Sequence, residues 1–410
     1  MKRKVLIINY GFPPNEGIGG RRWAKHAKEL ARLGFEVNVI ACQPHANEAS
    51  PWTEDIIHES IRVHYLNRNY PRWIRKPLKG TFSSLKYRLA LLVLKQLNSG
   101  TSFDLTVFWK NQLVEKAQEL IKAGFNNVIV SGAPFNLTYY MSLLKESPLD
   151  FNLIVDFRDP WLGAKNYGMS NLSERRESTE KLKYKLVCEN ADIILSPNEN
   201  MTAEFVALCN QPNLLHKFHY LMHSFDPMDI QPNQVKPNSD ILLFIYGGTL
   251  YQGVKAHLLN LKKSLEELKL MNPEIYRKCR FEFYTPEIHY QSLFEPNENV
   301  KFYKPIGKEI FNKVKECAGL LLLYNDQNKN YPTSKIFEFL PYHKPFGVFS
   351  NGGKTLELLE REKWGRGINS PSEFISFIKE AKDPSNSFSF TNIELHNLEN
   401  RTQELLQWFR

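Results

Sequence analysis

Hydrophobic and polar positions at the start of the chain follow the order strand, loop, helix, strand. Residues 5–10 form an apolar run typical of a buried strand, and residues 11–20 are rich in glycine and proline. Residues 21–33 carry apolar side chains at helical spacing, Gly34 stands where a helix C-terminal glycine belongs, and residues 36–42 form a second apolar run. This order is typical of the opening of a doubly wound parallel sheet.

The alternation of helices and strands continues with one interruption. Around residues 212–238 the chain becomes polar and contains several prolines, so we place a domain junction there. A second series begins at residue 241 with a strand that leads into a glycine turn. The pattern predicts helices at 113–122, 171–190, 256–270, 310–317 and 335–340, and strands at 127–130, 151–156, 191–195, 241–246, 281–284, 319–324 and 346–349.

Two consecutive α/β series predict two Rossmann-like domains with doubly wound parallel sheets, facing each other across a cleft. The length of 410 residues suits two domains, and a hydrophobic content of 42% gives each a core. We expect residues 1–225 to form the N-terminal domain, 226–240 a linker and 241–392 the C-terminal domain. Residues 393–410 are predicted to form an amphipathic helix that returns to the N-terminal domain.

The net charge of +9 is concentrated in one segment. No acidic residue stands between Glu59 and Asp104, and the basic residues of that interval number nine, which equals the whole excess. These basic residues alternate with aromatic and aliphatic ones, and residues 85–97 could form an amphipathic helix lying in a membrane interface. They are Arg62, Arg68, Arg72, Arg75, Lys76, Lys79, Lys86, Arg88 and Lys95.

The basic segment predicts contact with an anionic membrane surface, and Arg72, Trp73, Arg75 and Lys76 are the predicted acceptor or membrane contacts. The alternative is an ordinary helix with a solvated face. No apolar stretch is long enough to span a bilayer. The five cysteines are scattered without metal-ligand spacing. We therefore expect a cytoplasmic protein, possibly peripheral on the inner face of the cell membrane.

Two segments of the N-terminal half follow predicted strands and could carry chemistry. Residues 17–21 open a helix, and Gly19 and Gly20 would let the backbone approach an anionic ligand; the alternative is a tight turn. In residues 156–161, Asp156 and Asp159 could act as base or hydroxyl clamp beside Arg158. The alternative there is a structural Asp–Arg bridge. Trp161 closes this segment as a candidate acceptor contact.

Two further segments lie in the C-terminal half. Gly248 and Thr249, followed by Lys255, could receive a diphosphate, although a solvated lysine at a helix start is a serious alternative. In residues 332–340, a predicted helix start carries Ser334 and Lys335, and Glu338 lies three residues further on the same side. The alternative for that pair is a surface Lys–Glu contact.

These segments together resemble the retaining glycosyltransferase family four, which has the GT-B fold. Residues 12–14 with 17–21 resemble the opening loop of that family, and residues 190–196 resemble its alanine-aspartate, strand and serine segment. Residues 224–226 resemble the stretch before its linker, and residues 335–345 resemble its lysine-glutamate and lysine-proline signature. The order and spacing of the four matches extend over nearly the whole chain.

The resemblance implies roles for the candidate residues. Gly19 and Gly20 would lie against the donor phosphates or the transferred sugar, and Lys255 would neutralise the diphosphate. The Ser334 and Lys335 backbone would lie near the diphosphate, with Gly248 and Thr249 in the same loop system, and Glu338 would hold the nucleotide ribose as the second glutamate of the Glu-seven-residues-Glu motif. The chain departs from the family at Asn330, where the first glutamate of that motif is missing, and at Thr249, where arginine is common.

The predicted activity is transfer of a sugar, with retention of configuration, from a nucleotide-diphosphate sugar to the hydroxyl of a sugar or lipid-linked sugar acceptor. Cell-surface polysaccharide or glycolipid synthesis is the expected setting. Lys255 and Glu338 are candidate catalytic residues, and Asp156 or Asp159 could orient the acceptor hydroxyl. No cofactor and no metal for the diphosphate are expected, because lysines and helix-terminal N–H groups can match its charge.

Other functions stay open on the sequence. A non-hydrolysing sugar-nucleotide epimerase shares the two-domain architecture, and a non-catalytic sugar-nucleotide-binding relative would explain Asn330. A nucleic-acid-binding protein is a remote alternative suggested by the pI of about 9.1. We expect no nucleic-acid partner, because the chain carries no nucleic-acid-binding motif.

Overall fold

The chain forms two compact α/β units. The computed structural model describes residues 3–15, 18–44, 50–69, 80–97, 104–162, 172–230 and 240–410. The N-terminal unit comprises Met1–Met222 together with Leu398–Arg410, and the C-terminal unit comprises His223–Asn397. The last segment of the chain therefore packs with the first unit. In the part of the chain that the structure describes, every helix is too short or too polar to cross a lipid bilayer.

The N-terminal unit is built on a seven-stranded parallel sheet with the order β3-β2-β1-β4-β5-β6-β7. Its central strands are buried along almost their whole length, which explains their continuous apolar runs. The strands are β1 (Lys4–Ile8), β2 (Glu36–Cys42), β3 (Ile61–Leu66), β4 (Asn127–Gly132), β5 (Asn152–Phe157), β6 (Ile193–Ser196) and β7 (Phe218–Tyr220). The helices are α1 (Arg21–Arg32), α2 (Thr81–Leu97), α3 (Lys110–Lys122), α4 (Asn136–Leu144), α5 (Glu174–Asn190) and α6 (Glu199–Cys209).

The C-terminal helix of the chain, α13 (Leu398–Leu406), docks on α1 within the N-terminal unit. Leu405 is fully buried in the same apolar core as Trp23 of α1. His26 Nδ1 lies 2.9 Å from the Thr402 hydroxyl, which joins the two helices through a buried polar contact.

The C-terminal unit is built on a six-stranded parallel sheet with the order β10-β9-β8-β11-β12-β13. Its core is rich in phenylalanine, and the rings of Phe244, Phe281 and Phe377 pack together between β8, β9 and α12. The strands are β8 (Leu242–Gly247), β9 (Cys279–Tyr284), β10 (Val300–Tyr303), β11 (Gly319–Leu323), β12 (Phe346–Phe349) and β13 (Gly365–Gly367). The helices are α7 (Lys255–Met271), α8 (Pro273–Lys278), α9 (Ile310–Glu316), α10 (Ser334–Phe339), α11 (Lys354–Arg361) and α12 (Pro371–Lys382).

The two sheets confirm the predicted pair of doubly wound parallel-sheet domains. In each, the first strand lies inside the sheet and the strand order reverses beside it, between β1 and β4 in one unit and between β8 and β11 in the other. The carboxyl ends of strands at such a reversal form the usual ligand crevice of these folds. The side chains at these two places are therefore the first candidates for a site.

Candidate functional site

Gly248 and Lys335 meet at the carboxyl end of β8. Gly248 has a φ of +137°, which side-chain-bearing residues rarely adopt, and its N–H donates to the Tyr284 carbonyl at 2.9 Å. A methyl group on its α-carbon would collide with Nζ and Cε of Lys335. The glycine therefore serves two purposes, since it permits the turn after the strand and it leaves room for the ammonium group.

Lys335 is a half-buried cation near the start of α10. Among the described residues, no hydrogen bond or ion pair within 4.0 Å joins its ammonium to an acceptor. Burial lowers the pKa of Lys335, and the Glu338 carboxylate opposes part of this shift. An ammonium has three N–H donors, so this one is prepared for an anionic ligand.

The other predicted residues of this half surround that pair on the same unit. Glu338 is half-buried on the next turn of α10, and Ser334 is the first residue of the helix. Thr249 is exposed, and its carbonyl accepts the Tyr246 hydroxyl at 2.8 Å. Lys255 is exposed at the first position of α7. Their roles toward a donor stay predictions, because the structure holds no ligand to define them.

The loop between β8 and α7 is fixed by two residues that the sequence analysis missed. Glu287, after β9, accepts the Leu250 N–H at 2.9 Å. Asn325, after β11, donates from Nδ2 to the Gln252 carbonyl at 2.6 Å. Both follow the strands that flank β8 in the sheet. The signal was their position directly after predicted strands, and only the strand order shows that they converge on one loop.

Asn330, which replaces the first glutamate of the family motif, has a structural contact. Its Oδ1 accepts the Lys354 N–H at 3.1 Å, at the beginning of α11. The preceding carbonyl, of Lys329, accepts the Thr355 N–H at 3.0 Å. Residues 329 and 330 therefore cap a helix that otherwise begins at Gly353, which has no side chain to do so.

Gly19 and Gly20 precede α1 and are packed against protein groups. A methyl group on Gly20 would collide with the Gly11 carbonyl, and one on Gly19 would collide with the Arg158 guanidinium. Arg158 donates to the Gly19 carbonyl and, at 2.9 Å, to the Ala133 carbonyl. These contacts explain both glycines without a ligand and favour the tight-turn alternative. A donor contact at Gly19 or Gly20 stays a prediction.

Asp156 lies in the interior of the N-terminal unit with no exposed side-chain surface. Its carboxylate accepts hydrogen bonds from Arg22 Nε and Nη2, each at 3.3 Å, and from Trp23 Nε1 at 2.7 Å. Arg22 also donates to the Leu221 carbonyl at 2.6 Å. This buried network ties α1 to β5, so its geometry favours the structural Asp–Arg alternative over a role in orienting an acceptor.

Asp159 and Trp161 lie in different surroundings. The Asp159 carboxylate is 37% exposed and forms an ion pair with Arg158 at 3.5 Å, so of the two predicted carboxylates it is the accessible one. Trp161 is fully buried, stacks on Phe135 at 5.1 Å and donates from Nε1 to Glu180 at 2.9 Å. These are core contacts, which give no support to the prediction that Trp161 touches an acceptor.

The remaining predicted contacts, Arg72, Trp73, Arg75 and Lys76, lie outside the described residues. The proposed membrane role of that segment therefore depends on its neighbour α2, which the structure does describe.

Replacing Gly248 by alanine is expected to destabilise the protein and to weaken ligand binding at Lys335. The positive φ alone costs about 1–3 kcal/mol, and the new methyl group displaces the ammonium. Urea unfolding measures the first effect and titration with a nucleoside diphosphate the second. Gly34→Ala is the matched control, because Gly34 has a φ of +85° but open space around its α-carbon. It should lose stability and keep ligand affinity; equal binding by both variants would contradict the assignment.

No protein-family model and no curated protein matches the sequence. Solved structures match the fold over nearly the whole chain. TarM from S. aureus has a TM-score of 0.63 at 10% identity, with 100% of this chain and 99% of that chain covered. The lipopolysaccharide outer core galactosyltransferase WaaB has a TM-score of 0.55 at 11% identity, with 99% of each chain covered.

A putative UDP-N-acetylglucosamine 2-epimerase from Listeria monocytogenes also matches, with a TM-score of 0.58 at 13% identity over 99% of this chain and 95% of that chain. At these identities the similarity shows the fold. Together with the two parallel sheets, it confirms that the chain has the GT-B architecture.

Proposed function

We propose that this protein is a glycosyltransferase that moves a sugar from a nucleotide-diphosphate sugar to a hydroxyl acceptor with retention of configuration. The observation that carries the proposal is the Lys335 ammonium, half-buried beside Gly248 at the carboxyl end of β8. A buried cation without an acceptor is unfavourable, and a diphosphate is the anion that the architecture commonly binds at such a place. Lys335 is thus the proposed counter-charge for the leaving group.

The structural neighbours support a nucleotide-sugar donor. TarM was solved with UDP and alpha-GlcNAc-glycerol, and the Methanocaldococcus jannaschii UDP-GlcNAc 2-epimerase was solved with UDP-GlcNAc and UDP. We therefore take a UDP-sugar as the first donor to test. Glu338, one turn after Lys335, is the proposed ribose contact, and exposed Lys255 is the proposed second cation on the diphosphate.

In the proposed reaction, the bond between C1 of the sugar and the diphosphate oxygen breaks as a bond from C1 to the acceptor oxygen forms. The acceptor proton leaves with the diphosphate, and Lys335 and Lys255 stabilise the charge that develops there without need of a metal. Asp159 is the proposed carboxylate that orients the acceptor, because Asp156 is already saturated by Arg22 and Trp23. We propose a sugar or lipid-linked sugar as that acceptor.

A second candidate is a UDP-sugar 2-epimerase, because such enzymes match the fold as well as the transferases do. The two activities give different products from one donor. A transferase releases UDP and needs an acceptor, whereas an epimerase changes the sugar and leaves UDP attached at equilibrium.

The deciding experiment incubates the purified chain with UDP-sugars and follows products by chromatography and NMR. Acceptor-dependent UDP release with an axial-to-axial or equatorial-to-equatorial anomeric outcome supports the proposal, and a 2-epimer of the donor supports the alternative. UDP should also raise the melting temperature, since a ligand that binds only the folded state stabilises it. Indifference to every nucleoside diphosphate and no donor turnover would exclude both.

The lowered pKa of Lys335 predicts how ligand affinity depends on pH. A diphosphate needs the protonated amine, so affinity should decline as pH rises through a value below the ordinary lysine pKa of 10.5. The stability of the free protein changes in the opposite direction. Burial penalises the charged form, so the penalty is present at low pH and is relieved as pH rises towards the unfolded-state pKa.

Calorimetric titration with ADP between neutral and alkaline pH measures this effect. Lys335→Arg is the matched variant, because a guanidinium stays charged over the whole range. The variant should lack the alkaline decline, and the ligand's own titration cancels in the comparison. An alkaline decline of equal size in both proteins would show that Lys335 is not the group responsible.

A further inference from the structure

Helix α2 carries an apolar face that is left exposed to solvent. Five large side chains contribute to it: Phe82 is 70% exposed, Leu85 65%, Leu89 63%, Leu92 64% and Val93 52%. Successive residues of a helix are rotated by about 100°, so these five fall within an arc of about 100°. The exposed surface is therefore one continuous stripe along the helix, not a scatter of single residues.

The opposite face of α2 holds the helix in place. Leu94 is buried there, and Ala90 and Leu91 pack with it against Leu105 and Val107, which precede α3. These residues lie across the helix axis from the stripe. The apolar stripe is consequently turned away from the unit by packing, and it is not a core face that has merely failed to close.

Basic side chains border the stripe on both sides. Lys86 and Arg88 are exposed, and at about 100° per residue they fall beyond its two opposite margins. The Lys86 ammonium lies 4.8 Å from the centre of the Phe82 ring, so one cation sits directly at the apolar edge. The sequence from residue 60 to residue 103 contains no acidic residue that could neutralise this charge.

We propose that this face of α2 lies in the interface of an anionic lipid bilayer. Its apolar side chains would enter the boundary of the acyl chains, and Lys86 and Arg88 would lie at the level of the anionic headgroups. A second copy of the chain fits less well, because symmetric pairing of the stripe would bring the same basic margins together. This inference is independent of the donor site, which lies on the C-terminal unit.

Vesicle flotation of the full-length chain tests the proposal. The protein should float with vesicles of phosphatidylcholine and phosphatidylglycerol and stay behind with phosphatidylcholine alone, and added salt should weaken binding. Each basic residue near the surface contributes a factor of about five. The double variant Lys86→Gln/Arg88→Gln should therefore bind about 25-fold more weakly, and the triple variant Leu85→Ser/Leu89→Ser/Leu92→Ser should lose binding.

Matched controls separate the stripe from general surface effects. Leu182 and Leu270 are 68% and 82% exposed on other helices, so Leu182→Ser/Leu270→Ser should float like the unmodified protein. The melting temperature should be unchanged in all variants because the replaced side chains are exposed. The UDP-dependent shift, measured on the same samples, reports the donor site separately from membrane binding.

Three outcomes would overturn the inference. Equal flotation with neutral and anionic vesicles removes the role of the basic margins, and undiminished flotation of the triple leucine variant removes the role of the stripe. A dimer in sedimentation velocity that dissolves in the triple variant would assign the face to a second copy of the chain instead.

Discussion

Asp156→Ala is expected to lower the free energy of unfolding by about 3–5 kcal/mol, because it leaves a buried cation without its partner. The Asp156 side chain has no exposed surface, and that of Arg22 is 7% exposed. The same change removes the acceptor of the Trp23 indole N–H. Arg22 retains its bonds to main-chain carbonyls, which satisfy donors but carry no compensating charge.

Urea unfolding followed by circular dichroism measures this loss. Glu177→Ala is the control, because Glu177 and Lys181 form an exposed ion pair whose removal should cost less than about 0.5 kcal/mol. The double variant Asp156→Leu/Arg22→Met should recover much of the stability, since it removes both charges together. If Asp156→Ala unfolds like the parent but loses transferase activity, Asp156 is a catalytic group and the structural interpretation is wrong.

The buried strands of the fold could be predicted from sequence, whereas the edges of the sheets could not. Central strands such as β2 and β12 are covered on both faces, so they appear as uninterrupted apolar runs with clear limits. The edge strand β3 is only partly buried, and β10 and β13 are short. Their mixed composition resembles that of loops, and the pattern therefore gave no strand at these positions.

The glycine loops show a different limit of sequence reasoning. A glycine before a helix indicates that something approaches its backbone closely, but the pattern does not say what approaches. At Gly20 it is the Gly11 carbonyl, at Gly19 the Arg158 guanidinium and at Gly248 the Lys335 ammonium. Only the last of these neighbours is a cation without an acceptor among the described residues. The candidate site thus depends on a tertiary contact that spacing along the chain does not contain.

The same limit applies to the residues that hold the site in shape. The ends of β9 and β11 were predicted, and the polar residues after them were visible in the sequence. Glu287 and Asn325 gain meaning only because the strand order places β9 and β11 on either side of β8. Chain order alone does not give that arrangement, since β11 returns to β8 after two intervening strands.

Lys335→Met is expected to abolish most nucleotide affinity while leaving the fold intact. A charge-assisted hydrogen bond contributes about 1.5–3 kcal/mol, which corresponds to a loss of affinity of about 10- to 150-fold. The free protein should be as stable as the parent or more stable, because methionine fills the space beside Gly248 without a buried charge. A loss of function that accompanies a gain in melting temperature cannot be explained by misfolding.

Thermal unfolding with and without UDP measures both effects on one sample. Lys263→Met is the matched control, since Lys263 is exposed on α7 and should change neither the melting temperature nor its shift with UDP. Lys255→Met should weaken binding less than Lys335→Met, because an exposed cation is screened by water and salt. If Lys335→Met keeps the full UDP shift, the anion binds elsewhere, and the observation that carries the proposed function loses its force.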